Sequence, residues 1–106
     1  PLGLNGFMKK IQIPLDPATG NVVDGDITAQ ARRAFDNLKA VAEAAGGSLE
    51  QIVRCGLFLT DLGQFAQVNA VMQEYFSAPY PARSTIEVSG LPKGVLFEVE
   101  ATMVLE

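Results

Sequence analysis

The residues best suited to chemistry lie in the last quarter of this sequence. Arg83 follows Pro79-Tyr80-Pro81-Ala82 and precedes a short run that reads as a strand. A guanidinium at a strand entrance can hold a carboxylate or a phosphate through two parallel hydrogen bonds. Position alone favours the plainer reading, a surface arginine or a structural ion pair. Alternation puts Arg83, Thr85 and Glu87 on one face of their strand, and Glu98, Glu100 and Thr102 on one face of the next, opposite the apolar face of Val95, Phe97, Val99, Ala101, Met103 and Leu105. Carboxylates repeated at i and i+2 on a strand ordinarily make a solvated face. One of them sheltered near Arg83 would instead be a candidate general acid–base. Spacing does not choose between these readings.

What else could carry chemistry is narrowed by what is missing. The sequence holds no histidine and one cysteine, Cys55. Ser-His-Asp and Cys-His catalysis, cysteine-based zinc sites and an internal disulfide are therefore excluded. Acid–base work falls to carboxylates, Lys, Tyr, Cys, backbone groups or bound water. Cys55 alternates with apolar neighbours and reads as a core residue. Gly90-Leu91-Pro92-Lys93-Gly94 lacks the spacing of a phosphate-binding loop and reads as a turn. Tyr75 fits a helical core stripe, and Tyr80 could line a pocket. The net charge of −4 and the scattered Lys and Arg argue against a nucleic-acid footprint. No apolar run is long enough for a membrane helix, and the first residues lack the pattern of a signal peptide, so the expected location is the cytoplasm.

The elements that must position these residues follow from periodicity. A chain of 106 residues can bury one core, and no linker or repeat divides it, so one domain is expected over 1–106. Phe7 to Leu15 reads as a first strand, followed by the turn Asp16-Pro17-Ala18-Thr19-Gly20. Ile27, Ala31, Ala34, Leu38, Val41 and Ala45 recur at spacings of four and three, which predicts a helix over 27–45 capped by Asp26 or Thr28 and ended by Gly46-Gly47. Ile52 to Thr60 reads as a strand with Val53, Cys55, Leu57 and Leu59 on one face. A second helix follows, with Asp61 as N-cap, Gln64 completing a capping box, and Phe65, Val68, Met72, Tyr75 and Phe76 as its apolar face. Ser84–Val88 and Val95–Leu105 read as two closing strands. The order is β, α, β, α, β, β, an α+β class in which two helices cover one face of a sheet. The other face keeps apolar residues that call for a partner, so self-association is expected.

Residues 81–101, Pro-Ala-Arg-Ser-Thr-Ile-Glu-Val-Ser-Gly-Leu-Pro-Lys-Gly-Val-Leu-Phe-Glu-Val-Glu-Ala, resemble the signature of the reactive intermediate deaminase family, RidA/YjgF, also labelled L-PSP endoribonuclease. Supporting matches are Gln12-Ile13-Pro14-Leu15-Asp16-Pro17-Ala18-Thr19-Gly20, Gln30-Ala31-Arg32, Asp36-Asn37-Leu38-Lys39 and Phe65-Ala66-Gln67-Val68-Asn69. The resemblance implies a chorismate-mutase-like α+β fold with a mixed sheet. It implies a homotrimer with ligand sites in the clefts between subunits, and no metal or organic cofactor. The implied reaction is hydrolysis of 2-iminobutanoate and 2-iminopropanoate to the 2-keto acid and ammonia. By the same resemblance Arg83 is the carboxylate anchor, Thr85 a substrate-binding position where many members have Cys, and Glu98 the carboxylate that orients water or moves a proton.

The front of the chain departs from the family. Lys10 and Ile11 stand where members have Ser and Gly, and Ile cannot adopt glycine-only backbone conformations cheaply. Residues 1–11 are expected to be an atypical leader or an altered first strand. This departure supports a second reading, a trimeric module that binds small carboxylates or client proteins without turnover. A third, RNA cleavage, rests on the family's alternative label alone.

Overall fold

The structure, a computed structural model, describes residues 6–105, so the first five residues of the expected leader lie outside the described residues. Gly6–Gln12 forms strand β1. It pairs antiparallel with the last strand β4, Phe97–Leu105, in an unbroken register from Gly6 opposite Leu105 to Gln12 opposite Val99. The strand stops at Gln12 rather than Leu15, because Pro14 brings no N–H to the ladder. Leu15 instead makes an isolated bridge to Val22 around the Asp16–Gly20 turn.

Helix α1 spans Ile27–Ala44. Asp26 caps it by accepting a hydrogen bond from the Ala29 N–H, which satisfies one of the donors that a helix start leaves free. Gly46 follows the end with φ +85°, a conformation glycine adopts without strain. Strand β2 is Ile52–Leu59 and helix α2 is Phe65–Tyr75. Strand β3, Ala82–Glu87, pairs parallel with β2, so β2, α2 and β3 form one crossover unit. β4 then inserts between β1 and β2, which gives the order β1-β4-β2-β3.

Two local expectations change. Asp61 caps a short 3-10 turn, Leu62–Gln64, and not α2 itself, with its carboxylate accepting from the Gly63 N–H. The capping box forms elsewhere, between Ser48 and Gln51. Val53 also leaves the face of Cys55. The register of β2 against β4 shifts between Ile52 and Arg54, so Ile52 turns inward and Val53 outward. Such a bulge breaks the period-two rule for one residue.

Both helices pack on one face of the sheet. Ala31, Ala34, Phe35 and Leu38 of α1 and Val68, Val71 and Met72 of α2 meet Cys55, Leu57 and Leu59 of β2 and Phe97, Val99, Ala101 and Met103 of β4. Fully burying one of the Val, Leu, Phe or Met side chains among them contributes roughly 1.5–3 kcal/mol. Phe35 lies at the centre, with its ring 5.5 Å from that of Tyr75 and 5.6 Å from that of Phe97. The opposite face carries Lys9 and Ile11, Gly56 and Phe58, Ser84 and Ile86, and Glu98, Glu100, Thr102 and Val104. Ile11, Ile86 and Val104 are exposed there, at 55%, 49% and 39%.

Candidate functional site

β3 is the edge strand beside β2, and parallel pairing sets Arg83 level with Cys55 and Thr85 level with Leu57. Level residues on neighbouring strands share a face, so Arg83 and Thr85 lie on the helix-covered side. There the guanidinium meets α2. Nη1 donates to Oδ1 of Asn69 and lies 3.6 Å from Sδ of Met72. Cζ stands 5.1 Å from the centroid of the Phe65 ring, within cation–π range. A cleft of about 280 Å³ opens at this point, lined by Asn69, Met72, Gln73, Tyr80, Pro81 and Arg83. Its walls are apolar at Met72, Tyr80 and Pro81, and its cation is Arg83. Glu87, on the same face, is taken up structurally, since its carboxylate accepts from the Leu62 N–H at 2.8 Å.

Glu98 sits level with Phe58 in the antiparallel β2–β4 pair, on the open side of the sheet. It is half-buried, and burial pushes its carboxyl pKa up; the nearby charge of Glu100 adds to this. Glu100 in turn is 3.1 Å from Nζ of Lys9 on β1. Arg83 and Thr85 are therefore brought together on one face, and Glu98 is placed on the other. A carboxylate with a raised pKa can exchange a proton nearer neutrality than an ordinary one.

Other sequence candidates find structural places. Cys55 is fully buried, and burial pushes its thiol up to about 11. Tyr75 donates to Oδ1 of Asp36 at 2.7 Å, and burial with that carboxylate holds its phenol above the usual range. Ile11 lies within β1, and Lys93 alone among the described non-glycine residues has a positive φ, so Ile11 takes no glycine-only conformation. Two residues of the supporting matches are pins. Gln30, 7% exposed, accepts from the Leu96 N–H at 2.8 Å and so fixes the chain two residues before Glu98. Asn37 donates to the carbonyls of Ile13 and Leu15 and ties the turn after β1 to α1.

Asn69 is the site residue that single-residue reading passes over. Its signal is a polar side chain at the helical spacing of Phe65 and Met72, four and three residues away on one face of α2. Among the described residues no cluster of three or more His, Cys, Asp or Glu side chains is placed to hold a metal, and no helix is long and apolar enough to cross a membrane.

Comparison with known proteins agrees with the signature. The sequence model of the Endoribonuclease L-PSP family matches residues 12–105. Protein DfrA of Myxococcus xanthus is 54% identical over 93 residues, covering 88% of this chain and 71% of its own. The 2-iminobutanoate/2-iminopropanoate deaminase of Escherichia coli K12 is 48% identical over 96 residues, covering 88% and 74%. RidA from an Antarctic Psychrobacter superposes with a TM-score of 0.89 at 40% identity, over 99% of this chain and 84% of its own. E. coli TdcF with bound serine superposes at 0.85 and 39% identity, over 100% and 84%. The chain belongs to the Endoribonuclease L-PSP family, the family of the RidA/YjgF and RutC proteins.

Proposed function

We propose that this chain hydrolyses short 2-imino acids, 2-iminobutanoate and 2-iminopropanoate, to the 2-keto acid and ammonia. The observation that carries the reading is Arg83, a guanidinium held by α2 at the mouth of an apolar-walled cleft. Such a cation suits the carboxylate of a small substrate. The deaminase names of relatives at 40–48% identity support the reaction type. Thr85, on the face of Arg83, offers a further hydrogen-bonding hydroxyl.

Arg83 anchors the carboxylate, and Glu98 takes a proton from a water as its oxygen bonds to the imine carbon. Glu98 passes that proton to the imine nitrogen, which gives a carbinolamine. That intermediate collapses to the keto acid as its hydroxyl proton moves by way of Glu98 to the amino nitrogen, the C–N bond breaks, and ammonia departs. The raised pKa of Glu98 suits it to accept and return a proton. Because Arg83 and Glu98 lie on opposite faces of one sheet, the site is completed by a second copy, in a homotrimer that covers Ile11, Ile86 and Val104. The test is ammonia release from freshly generated 2-iminobutanoate, comparing this chain with Arg83→Ala. Equal rates would sink the assignment.

The serine in the TdcF structure favours one other reading, a carboxylate-binding module without turnover. Calorimetry with serine or 2-ketobutyrate separates the two, since binding without ammonia release supports the module.

A further inference from the structure

We infer that Asn69 is a positioning residue: with Phe65 and Met72 it locks the Arg83 guanidinium so that its Nε/Nη2 edge is presented to a monocarboxylate. The inference rests on the reading of Arg83 as the carboxylate anchor and names what makes that anchor effective. Arg83 extends from an edge strand, and its long side chain has many rotamers to lose on binding. α2 removes that freedom before any ligand arrives. Phe65 lies against the guanidinium plane, Asn69 accepts from Nη1, and Met72 Sδ touches the same nitrogen. Among the described residues both hydrogen bonds of Arg83 leave from Nη1. The Nε and Nη2 hydrogens thus remain as a parallel pair.

The chain itself shows what that edge does with a carboxylate. Arg32 grips Glu74 through Nε at 3.0 Å and Nη2 at 2.7 Å, one donor to each oxygen. The same fork on Arg83 would meet a substrate carboxylate side-on and fix its plane as well as its position. A lysine could supply the charge but not the plane. Because Asn69 is a neutral acceptor, it orients the cation without neutralising it.

The test uses the full chain with Asn69→Leu, which keeps the size and removes the acceptor, and Asn69→Asp, which keeps an acceptor and adds a charge. Nitrogen-15 NMR of the Arg83 Nε–H in the ligand-free chain reads the locking directly. Slow hydrogen exchange and restricted motion are expected in the parent and are lost in Asn69→Leu. Calorimetry with 2-ketobutyrate is expected to show about tenfold weaker binding for Asn69→Leu, the scale of one hydrogen bond to a charged group. Asn69→Asp should retain the Nε order and still bind more weakly, because its carboxylate cancels the charge of Arg83. For imine hydrolysis, KM should rise in Asn69→Leu with kcat little changed, a split that a loss of folded protein would not produce. An Arg83 Nε–H as ordered in Asn69→Leu as in the parent overturns the inference, as does unchanged 2-ketobutyrate affinity of the folded variant. Ketobutyrate binding that needs both Arg83 and Asn69 but releases no ammonia from the imine would leave the inference standing and remove the proposed activity.

Discussion

Arg83 and Glu98 face opposite sides of the same sheet. β2 runs between their strands, and pairing sets Arg83 level with Cys55 and Glu98 level with Phe58. Strand spacing and rise then put their Cα atoms roughly 14 Å apart. A small imino acid held by Arg83 in its own chain's helix-side cleft cannot present its imine carbon to a water on the same chain's Glu98. If both residues serve one reaction, they do so across a contact between copies.

Mixed assemblies follow from that geometry. Arg83→Ala and Glu98→Gln should each be inactive alone. Unfolded together and refolded as mixed oligomers, they should regain activity, because some clefts then join an intact Arg83 from one copy to an intact Glu98 from another. With equal amounts and random mixing in a closed ring, about a quarter of the clefts are intact. Ammonia release measured on the mixture checks this. Activity no higher than the sum of the two separate variants would place both residues of each site in one chain.

The charges around Glu98 give opposite-signed shifts in pH dependence. As a base, Glu98 must be ionised, so the rate should rise as pH climbs through its raised pKa. Burial raises that value most and Glu100 adds to it, so Glu100→Gln should move the acid limb to lower pH. Lys9 pairs with Glu100 at 3.1 Å and offsets its field. Lys9→Gln should therefore move the limb to higher pH. The measurement is kcat/KM for 2-iminobutanoate against pH in the three proteins, and shifts of one sign in both variants would contradict the arrangement.

Much of this was legible in the sequence, and the parts that were not share a physical cause. α1 and β4 carry long, unbroken apolar periods, so their faces could be read off directly, Glu98 opposite the core included. Alternation also grouped Arg83 with Thr85. The periods do not say which strands are neighbours, because pairing register is set by tertiary contact. The placement of Arg83 and Glu98 on opposite faces therefore needed the fold. Val53 was misread because a bulge leaves no mark in an apolar run. Gln30 and Asn37 stood in the supporting matches, but their partners, Leu96 and the Ile13–Leu15 turn, lie 66 and 22–24 residues away along the chain.

Glu98 should also cost the folded chain stability. Its folded pKa lies above the unfolded value, so the protonated form suits the fold better than the ionised one. Stability from this group is complete below the unfolded carboxylate pKa and is lost as pH rises through the raised folded value. Glu98→Gln cannot ionise. Its Tm should exceed that of the parent at pH 7, and the gap should close below about pH 4, near the ordinary glutamate value. Thermal unfolding at the two pH values checks the sign. A variant more stable and inactive would mark Glu98 as a residue kept for chemistry.

Gln30 should show the reverse, a loss of stability with a particular effect on turnover. Among the described residues it is the one buried polar side chain of the core, and its Oε1 accepts from the Leu96 N–H at 2.8 Å. Gln30→Leu fills the space but leaves that N–H without its partner, which costs about 1–3 kcal/mol. In a domain near this size each kcal/mol moves Tm by about 4–8 °C. Arg32→Ala provides the contrast. It breaks the bidentate pair with Glu74, but both partners are exposed, and a surface pair contributes little, so Tm should barely move. Turnover distinguishes Gln30 from an ordinary core residue. Leu96 directly precedes β4, two residues before Glu98, whereas Arg83 is held by α2. Releasing Leu96 should therefore displace Glu98, the proposed proton-transfer carboxylate, and leave Arg83, the proposed carboxylate anchor, in place. In folded Gln30→Leu, kcat for 2-iminobutanoate should fall while the affinity for 2-ketobutyrate stays near that of the parent. Equal losses in both would mean that Gln30 supports the whole fold and has no particular hold on Glu98.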